Sequence, residues 1–188
     1  AENDITLFVK GSFVAILSLD EFLVTKFLEI AKKNIFWEEK HQLSNDNVFN
    51  SIEKHEKETL LVKSGGEAFY EEIPEKKSFD NPKIKSLSTI FKKSYLMHGP
   101  IGPSASCAIY KDNKFTIFSH SQSIFALKCS ISKYFDIDPN LVTLKFMPGS
   151  GCYGHNGADD VAFEASVIAK EYPDRHILLK WTREDEHS

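Results

Sequence analysis

The sequence predicts an α+β protein in which helices pack on a small sheet. Three patterns support this fold class: alternating strands and helices in the C-terminal half, an amphipathic helix near the N-terminus, and a glycine-rich loop between a strand and a helix. The chain has 188 residues, of which 41% are hydrophobic and 27% are charged. This composition is typical of a globular protein with one or two domains.

The composition also argues against several classes of protein. No apolar run is long enough to cross a membrane, and the first residues lack the order of a signal peptide. The net charge of −4 is spread along the chain without a basic stripe, which argues against nucleic-acid binding. Cys107, Cys129 and Cys152 are too few and too far apart for a disulfide scaffold or a zinc ribbon. A cytoplasmic and a periplasmic location both stay open.

The N-terminal part begins with a predicted strand and a predicted helix. Residues 12–17 are apolar and rich in strand-forming residues. Ser18 and Glu21 have the spacing of a capping box, and apolar residues recur at helical spacing from Leu19 to Lys33. A short strand is expected at residues 35–38.

Residues 40–85 are more charged and less regular than the rest. A helix is predicted at residues 47–55 and a strand at residues 59–63. Beyond them, four residues that break regular structure interrupt the chain: Gly65, Gly66, Pro74 and Pro82. This pattern favours a domain boundary, although an exposed loop inside one domain explains it nearly as well.

The C-terminal half carries the clearest pattern. Two strands, at residues 107–110 and 114–119, are expected to form a hairpin around residues 111–113. A helix at 122–135, a strand at 141–147, a helix with the apolar stripe Val161, Ala165, Ile168, Ala169 and Tyr172, and a strand at 176–181 follow. Pro139 is expected to stop the first of these helices. Because one helix joins the strands at 114–119 and 141–147, we expect these strands to be parallel neighbours whose following loops emerge together.

A glycine-rich loop precedes the second of these helices, and ligand binding is expected there. Gly149, Gly151, Gly154 and Gly157 fall within nine residues, which lets backbone N–H groups approach an anion or an oxo group closely. The loop lacks the G-x-G-x-x-G pattern of dinucleotide-binding proteins and the Lys-Ser or Lys-Thr pair of phosphate-binding loops. By spacing alone, a tight turn without a ligand is an equal alternative.

Three stretches of the C-terminal half, in this order, resemble the first cofactor-binding stretch of the xanthine dehydrogenase and aldehyde oxidase family. They are SHSQSIFALK, IDPNLVTLKFMPGSGCYGHNGADDVAFEASVIAK and HILLKWTREDEH. The resemblance is closest to the bacterial separate-subunit branch, which includes isoquinoline 1-oxidoreductase and related aldehyde and nicotinate dehydrogenases. In that family a glutamine at the head of a helix and a later aromatic–glycine pair approach the molybdenum centre. The matching residues here are Gln122 and Tyr153-Gly154.

The resemblance also implies a domain organisation. Residues 1–80 would be the C-terminal part of an α/β hammerhead-like domain plus a linker, and residues 86–188 the N-terminal part of a molybdenum-cofactor-binding domain. The chain departs from many relatives at Ile101-Gly102-Pro103, where they have Met-Glu-Pro, and at residues 152–155, where they have Gly-Phe-Gly-Gly. These departures leave the substrate class open.

Five residues are implied to bind the cofactor: Gln122, Gly151, Cys152, Tyr153 and Gly154. The Gln122 amide would donate to an oxo ligand of the metal, and backbone N–H groups around Tyr153 and Gly154 would donate to the same group or hold the pterin dithiolene. Without a cofactor, bonding of Gln122 to free backbone groups and packing of the Tyr153 ring under the loop would explain the same residues.

Other polar residues near this loop have simpler explanations. His98 either lines the pocket or is an ordinary loop histidine, and Asp159 and Asp160 suit the start of a helix. No metal ligand is predicted.

The function implied by the resemblance is that of a fragment of a molybdenum hydroxylase large subunit. It would hold part of the molybdopterin, whose dinucleotide form is unknown. The family's general base is a glutamate near the C-terminal end of the complete subunit, so no catalytic residue is expected in this chain. With the remainder of the large subunit, the intact enzyme would hydroxylate an aldehyde or N-heterocycle with oxygen from water. Electrons would leave through iron–sulfur clusters on a partner subunit or domain.

Two interpretations compete with the fragment. One is a self-contained binding or interaction module without enzyme activity, and the other is a small phosphate-binding enzyme. A reading frame that continues for several hundred residues would favour the fragment.

Overall fold

The computed structural model describes residues 5–38, 48–58, 60–62, 68–69, 75 and 82–187. The chain divides into two units: Ala1–Ile35 together with Leu96–Ser188, and Phe36–Tyr95. The N-terminal strands therefore group with the C-terminal half, which differs from the division expected at residues 80–86. The reason is a shared apolar cluster, in which Phe8 and Ala15 pack with Val167 and Ile168. The identities of the hammerhead-like and cofactor-binding domains stay predictions.

The first unit opens with an antiparallel strand pair, β1 (Thr6–Lys10) and β2 (Phe13–Leu17). The second strand confirms the prediction for residues 12–17. The first was missed, because its exposed residues Leu7 and Val9 are as apolar as buried Phe8 and hide the alternation expected of a half-buried strand.

Helix α1 follows at Glu21–Asn34. The predicted cap at Ser18 is wrong. Asp20 is the N-cap, and its carboxylate accepts hydrogen bonds from the backbone N–H groups of Phe22 (2.9 Å) and Leu23 (3.4 Å). The Ser18 hydroxyl instead accepts from the N–H of Asp20 at 3.1 Å. Both side chains therefore stabilise the turn that leads into α1.

The short strand predicted at residues 35–38 is also wrong. These residues are exposed and form no ladder with another described strand. Ile35 caps α1 in an extended conformation, and its N–H donates to the carbonyl of Ala31 at 2.8 Å. A strand is stabilised by hydrogen bonds to a neighbouring strand. Because residues 35–38 have no such neighbour among the described strands, their backbone groups bond to water instead.

The second unit contains little regular structure within its described residues. Helix α2 (Val48–Lys54) confirms the predicted helix, while Asn47 lies outside the described residues. Strand β3 (Leu61–Val62) pairs with β4 (Ala68–Phe69), and residues 59 and 63 of the predicted strand also lie outside the described part. Gly65, Gly66 and Pro74 are likewise outside it.

The main sheet of the first unit has the strand order β7-β6-β5-β8. Its strands are β5 (Ala105–Lys111), β6 (Lys114–Ser119), β7 (Val142–Phe146) and β8 (Ile177–Lys180). The predicted hairpin is confirmed: β5 and β6 are antiparallel around Asp112 and Asn113, whose φ angles are 49° and 59°. The predicted parallel pairing of β6 and β7 is confirmed as well, and β8 pairs antiparallel with β5.

Two helices pack against this sheet. Helix α3 (Ile124–Phe135) joins β6 to β7, and helix α4 (Ala158–Glu171) joins β7 to β8. The core between them contains Ala108, Phe115, Ile117, Leu127, Ile131, Val142, Ala162, Ala165 and Ala169. Among the described helices, none is both long and apolar enough to cross a membrane.

The start of α3 differs from the prediction, whereas its last residue agrees with it. The helix begins at Ile124 with Ser123 as its N-cap, so Gln122 lies just before the helix rather than in its first turn. Its last residue is Phe135, as predicted, and the C-cap Asp136 is in the left-handed conformation. The N–H of Ile137 donates to the carbonyl of Ser132 at 3.0 Å. Only the predicted cause is wrong, because this C-cap and not Pro139 ends the helix.

Candidate functional site

The loops that follow β6 and β7 emerge at the same edge of the sheet, as expected. Just beyond the last paired residues, Ser119 and Phe146, the N–H of Met147 donates to the carbonyl of Ser119 at 2.9 Å. His120 lies so close to Gly149 that a Cβ added to this glycine would be 2.8 Å from the imidazole ring. The serine loop (residues 119–123) and the glycine loop (residues 148–157) are therefore in contact.

Alternating serines hold the serine loop in place. The Ser119 hydroxyl donates to the carbonyl of Ala158 (3.1 Å) and accepts from the N–H of Ser121 (3.1 Å). The Ser121 hydroxyl in turn accepts from the N–H of Ser123 at 2.9 Å. Ser119 and Ser121 are buried, whereas Gln122, between Ser121 and Ser123, is exposed. The serines thus tie the start of α3 to the start of α4 and present Gln122 to solvent.

The amide of Gln122 makes no hydrogen bond to any other residue in the described part of the chain. Bonding to free backbone groups at a helix start, which the sequence left open, is not its role in this structure. The amide is free to donate to a ligand.

Three residues of the glycine loop have positive φ angles: Gly151 at 102°, Tyr153 at 55° and Gly154 at 143°. A Cβ added to Gly151 would lie 2.7 Å from the Tyr153 ring, so this close approach requires glycine. The ring packs on Gly151 on one side but is 65% exposed. Simple packing under the loop therefore accounts for only part of the Tyr153 surface.

Backbone donors of the glycine loop are left open. The carbonyl of Gly151 accepts from the Asn156 amide (3.2 Å), and the carbonyl of Gly154 accepts from the Cys152 thiol (2.7 Å). The N–H groups of Cys152, Tyr153 and Gly154 have no acceptor among the residues that the structure describes. Consecutive unpaired N–H groups in a turn with positive φ angles form a concavity suited to an anion or an oxo group.

A third stretch of chain, residues 98–102, lies against the glycine loop. We call it the histidine segment. The sequence had left open whether His98 lines the pocket. Ser150 binds this segment through its side chain and its backbone. Its hydroxyl accepts from the N–H of Gly102 (2.8 Å) and donates to the carbonyl of Gly102 (3.1 Å). The Ser150 carbonyl also accepts from the N–H of Ile101 at 3.4 Å. The signal in the sequence was the spacing of glycine and proline in HGPIGP, which is typical of a tightly packed loop.

The end of the glycine loop is tied to the start of α4. Asn156 accepts from the N–H of Ala158 at 3.3 Å, and His155 Nε2 lies 3.4 Å from Asp159 Oδ2. The other carboxylate oxygen of Asp159 is buried and has no partner in the described part of the chain. Asp159 and Asp160 lie in the first turn of α4, as expected, where the helix dipole stabilises carboxylates. Their expected capping role is wrong, because Gly157 is the N-cap and offers no side chain for a capping hydrogen bond.

A cleft of about 290 Å³ lies elsewhere in the first unit, and it contains none of the predicted site residues. It is lined by Lys10, Phe13, Tyr134, Asp160, Phe163, Glu164 and Val167. Burial raises the pKa of Glu164, while the hydrogen bond from Trp181 Nε1 at 2.7 Å opposes this rise. The carboxylates of Asp160 and Asp185 raise it further.

The chemistry available at the sheet edge is hydrogen-bond donation. Among the described residues, no group of three or more His, Cys, Asp and Glu side chains is placed to hold a metal ion. The exposed Gln122 amide and the open N–H groups at 152–154 are hydrogen-bond donors. Such a set orients and stabilises a ligand that carries negative charge, and does not itself transfer protons.

Comparison with known proteins finds a distant similarity to part of a much longer enzyme subunit. A stretch of 101 residues is 30% identical to a subunit of nicotinate dehydrogenase from Pseudomonas putida. The match covers 54% of this chain and 8% of that protein, and no family model matches the chain. This chain is therefore a distant relative of part of a dehydrogenase subunit.

Proposed function

We propose that this chain forms part of the large subunit of a molybdenum hydroxylase and contributes one wall of the molybdopterin pocket. The parallel pairing of β6 and β7 is the observation that carries the proposal, because it brings the serine loop and the glycine loop into contact. Those are the two loops in which the family resemblance requires a glutamine and an aromatic–glycine pair. The similarity to a dehydrogenase subunit supports the same general chemistry, oxidation and reduction.

The residues present fit such a cofactor. Molybdopterin carries a phosphate and a dithiolene, and its metal carries oxo groups; all of these accept hydrogen bonds. The exposed Gln122 amide and the open N–H groups of Cys152, Tyr153 and Gly154 are donors. Gly151 allows the turn that exposes these N–H groups, since any side chain there would meet the Tyr153 ring.

In the intact enzyme, the bound molybdenum centre would supply the redox chemistry that hydroxylates an aldehyde or N-heterocycle with oxygen derived from water. Residues of this chain would hold and orient the centre. Fixed amides stabilise charge that develops on an oxo group without gaining or losing a proton. Electrons would pass to iron–sulfur clusters on a partner subunit or domain, and the general base would come from the remainder of the large subunit.

The test is substitution of Gln122 in the full-length protein. Gln122→Glu keeps the shape of the side chain but removes the amide donor, and Gln122→Ala removes the whole side chain. Both should lower kcat, with a free energy of unfolding within about 0.5 kcal/mol of wild type because the residue is exposed. Lys133→Ala, an exposed position in the last turn of α3, is the matched control. Turnover equal to wild type in both Gln122 variants, or purified full-length protein without molybdenum and pterin, would contradict the proposal.

A further inference from the structure

We infer that His98 is a further ligand-contacting residue of this pocket and that the histidine segment lines it together with the serine loop and the glycine loop. The inference rests on the proposed function of the glycine loop. Its basis is the placement of the His98 imidazole directly against Gly154.

The contact between His98 and Gly154 leaves no room for a side chain. A Cβ added to Gly154 would overlap the Nδ1, Cε1 and Cγ atoms of the His98 ring. Gly154 also has a φ angle of 143°, a conformation that residues with a side chain rarely adopt. Both constraints act at one residue, so the backbone at Gly154 is shaped to accept the imidazole. His98 itself is exposed, which leaves its ring open to a ligand held by the same loop.

The histidine segment is held on its other side by Arg183. The guanidinium donates through Nη1 to the carbonyl of Pro100 (2.8 Å) and through Nη2 to the carbonyl of Ile101 (2.7 Å). Ser150 of the glycine loop binds the next residue of the segment, Gly102. The guanidinium is thus committed to backbone carbonyls, which makes Arg183 a positioning residue and not a ligand contact.

The chain beyond the segment is anchored as well. Ser104 is buried; its carbonyl accepts from the N–H of Trp181 (3.0 Å), and its own N–H donates to the carboxylate of Glu186. Pro100 is also buried. Backbone bonds therefore fix the segment on both sides of Ile101, while the His98 imidazole stays exposed at the edge. A rigid backbone with one free polar side chain is the arrangement that orients a ligand at low entropic cost.

Two other imidazoles lie in these loops: His120 accepts from the N–H of Ala105 at 3.4 Å, and His155 Nε2 lies 3.4 Å from Asp159 Oδ2. The His98 ring makes no hydrogen bond to a residue that the structure describes. Gln122 and the backbone N–H groups are neutral amides, whereas a histidine donates through a ring nitrogen and becomes cationic when protonated. Next to the open N–H of Gly154, it suits the negatively charged part of the ligand, an oxo or a phosphate oxygen.

The experiment measures loss of cofactor from the full-length protein, independently of turnover. Purified protein is dialysed, and the molybdenum and pterin that stay with it are measured over time. His98→Ala should release both about tenfold faster than wild type, which is the effect of removing one hydrogen bond to a charged group. His98→Gln keeps an N–H donor and should restore part of the retention.

His176→Ala is the matched control. It makes the same chemical change at an exposed histidine. His176 precedes Ile177, at the end of the β5–β8 pairing where Ile177 pairs with Ala108. The histidine segment precedes Ala105, at the opposite end of that pairing. Its retention should equal that of wild type. Thermal unfolding midpoints should agree among all variants, and His98→Gln serves alone if His98→Ala does not fold.

The outcomes separate the two proposals. If wild-type protein retains molybdenum and pterin but His98→Ala and His98→Gln lose them no faster, the role of His98 is wrong and the proposed function stands. If wild-type protein contains neither, both proposals fail. Equal acceleration by His176→Ala would also reject the role of His98, because the effect would not depend on the contact with Gly154.

Discussion

At the scale of single residues, burial separates supporting side chains from those offered to a ligand. In the serine loop, Ser119 and Ser121 are buried and direct their hydroxyls to backbone groups, while Gln122 between Ser121 and Ser123 is exposed. In the glycine loop, Tyr153 takes a left-handed φ that usually costs a residue with a side chain about 1 kcal/mol or more. A conformation of this kind persists where neighbouring contacts hold it, and here the ring lies on Gly151.

Glu164 gives a residue-scale prediction about pH. Because burial raises its pKa in the folded protein, the folded state holds the proton more tightly than the unfolded state does. Its contribution to stability is therefore present below the ordinary glutamate pKa of about 4.3 and is lost as the pH rises above it. Glu164→Gln removes this titration and keeps an oxygen that can accept from Trp181 Nε1. The variant should gain stability relative to wild type between about pH 4 and pH 7.

Urea unfolding of both proteins across this pH range measures the difference. Glu171→Gln is a suitable control, since that carboxylate is exposed on the same helix. A stability difference between Glu164→Gln and wild type that stays constant with pH would show that burial does not shift the pKa of this carboxyl.

At the scale of elements, the starts of helices were the least predictable features. Ser18 and Asp20 are both good capping residues, two positions apart. The path of the chain after β2 decided that the Asp20 carboxylate, and not the Ser18 hydroxyl, accepts from the free N–H groups of α1. The last residue of α3, Phe135, was predicted correctly, although the left-handed Asp136 and not Pro139 ends the helix. Element types were predicted well because their apolar periodicity extends over many residues.

The cap of α1 provides the element-scale prediction. Asp20→Ala should free the N–H groups of Phe22 and Leu23 and cost the helix about 1 kcal/mol, while Ser18→Ala leaves both of these hydrogen bonds in place. No described residue of α1 is buried, so the loss should appear as local opening of the first turn. Hydrogen exchange measures it: the Phe22 and Leu23 amides should exchange several-fold faster in Asp20→Ala than in Ser18→Ala. Faster exchange in Ser18→Ala than in Asp20→Ala would assign the capping role to Ser18, and equal exchange would show that the Asp20 hydrogen bonds do not stabilise the first turn.

At the scale of the whole molecule, the candidate site is open. Gln122, Tyr153 and Gly154 are exposed, and the donors assembled at this sheet edge cover one side of a ligand at most. A site that surrounds its ligand so incompletely releases it quickly, because few interactions must break before the ligand leaves.

The 188-residue chain alone should therefore not retain molybdopterin. After incubation with the molybdenum cofactor and gel filtration, the molybdenum content should fall far below one atom per chain, whereas the full-length protein keeps it. The full-length protein carried through the same column is the control. Stoichiometric molybdenum in the isolated chain would mean that these residues complete the pocket by themselves.

The amino-acid sequence by itself determined the mixture of helices and strands, the hairpin, the parallel strand pair and the positions of the two loops along the chain. These features depend on periodicity and on glycine spacing, which are local properties of the chain. The tertiary structure decided what depends on distant neighbours. The N-terminal strands joined the C-terminal unit because Phe8 and Ala15 pack with Val167 and Ile168. His98 met Gly154, which lies far along the chain beyond three strands and a helix, through packing that no local pattern encodes.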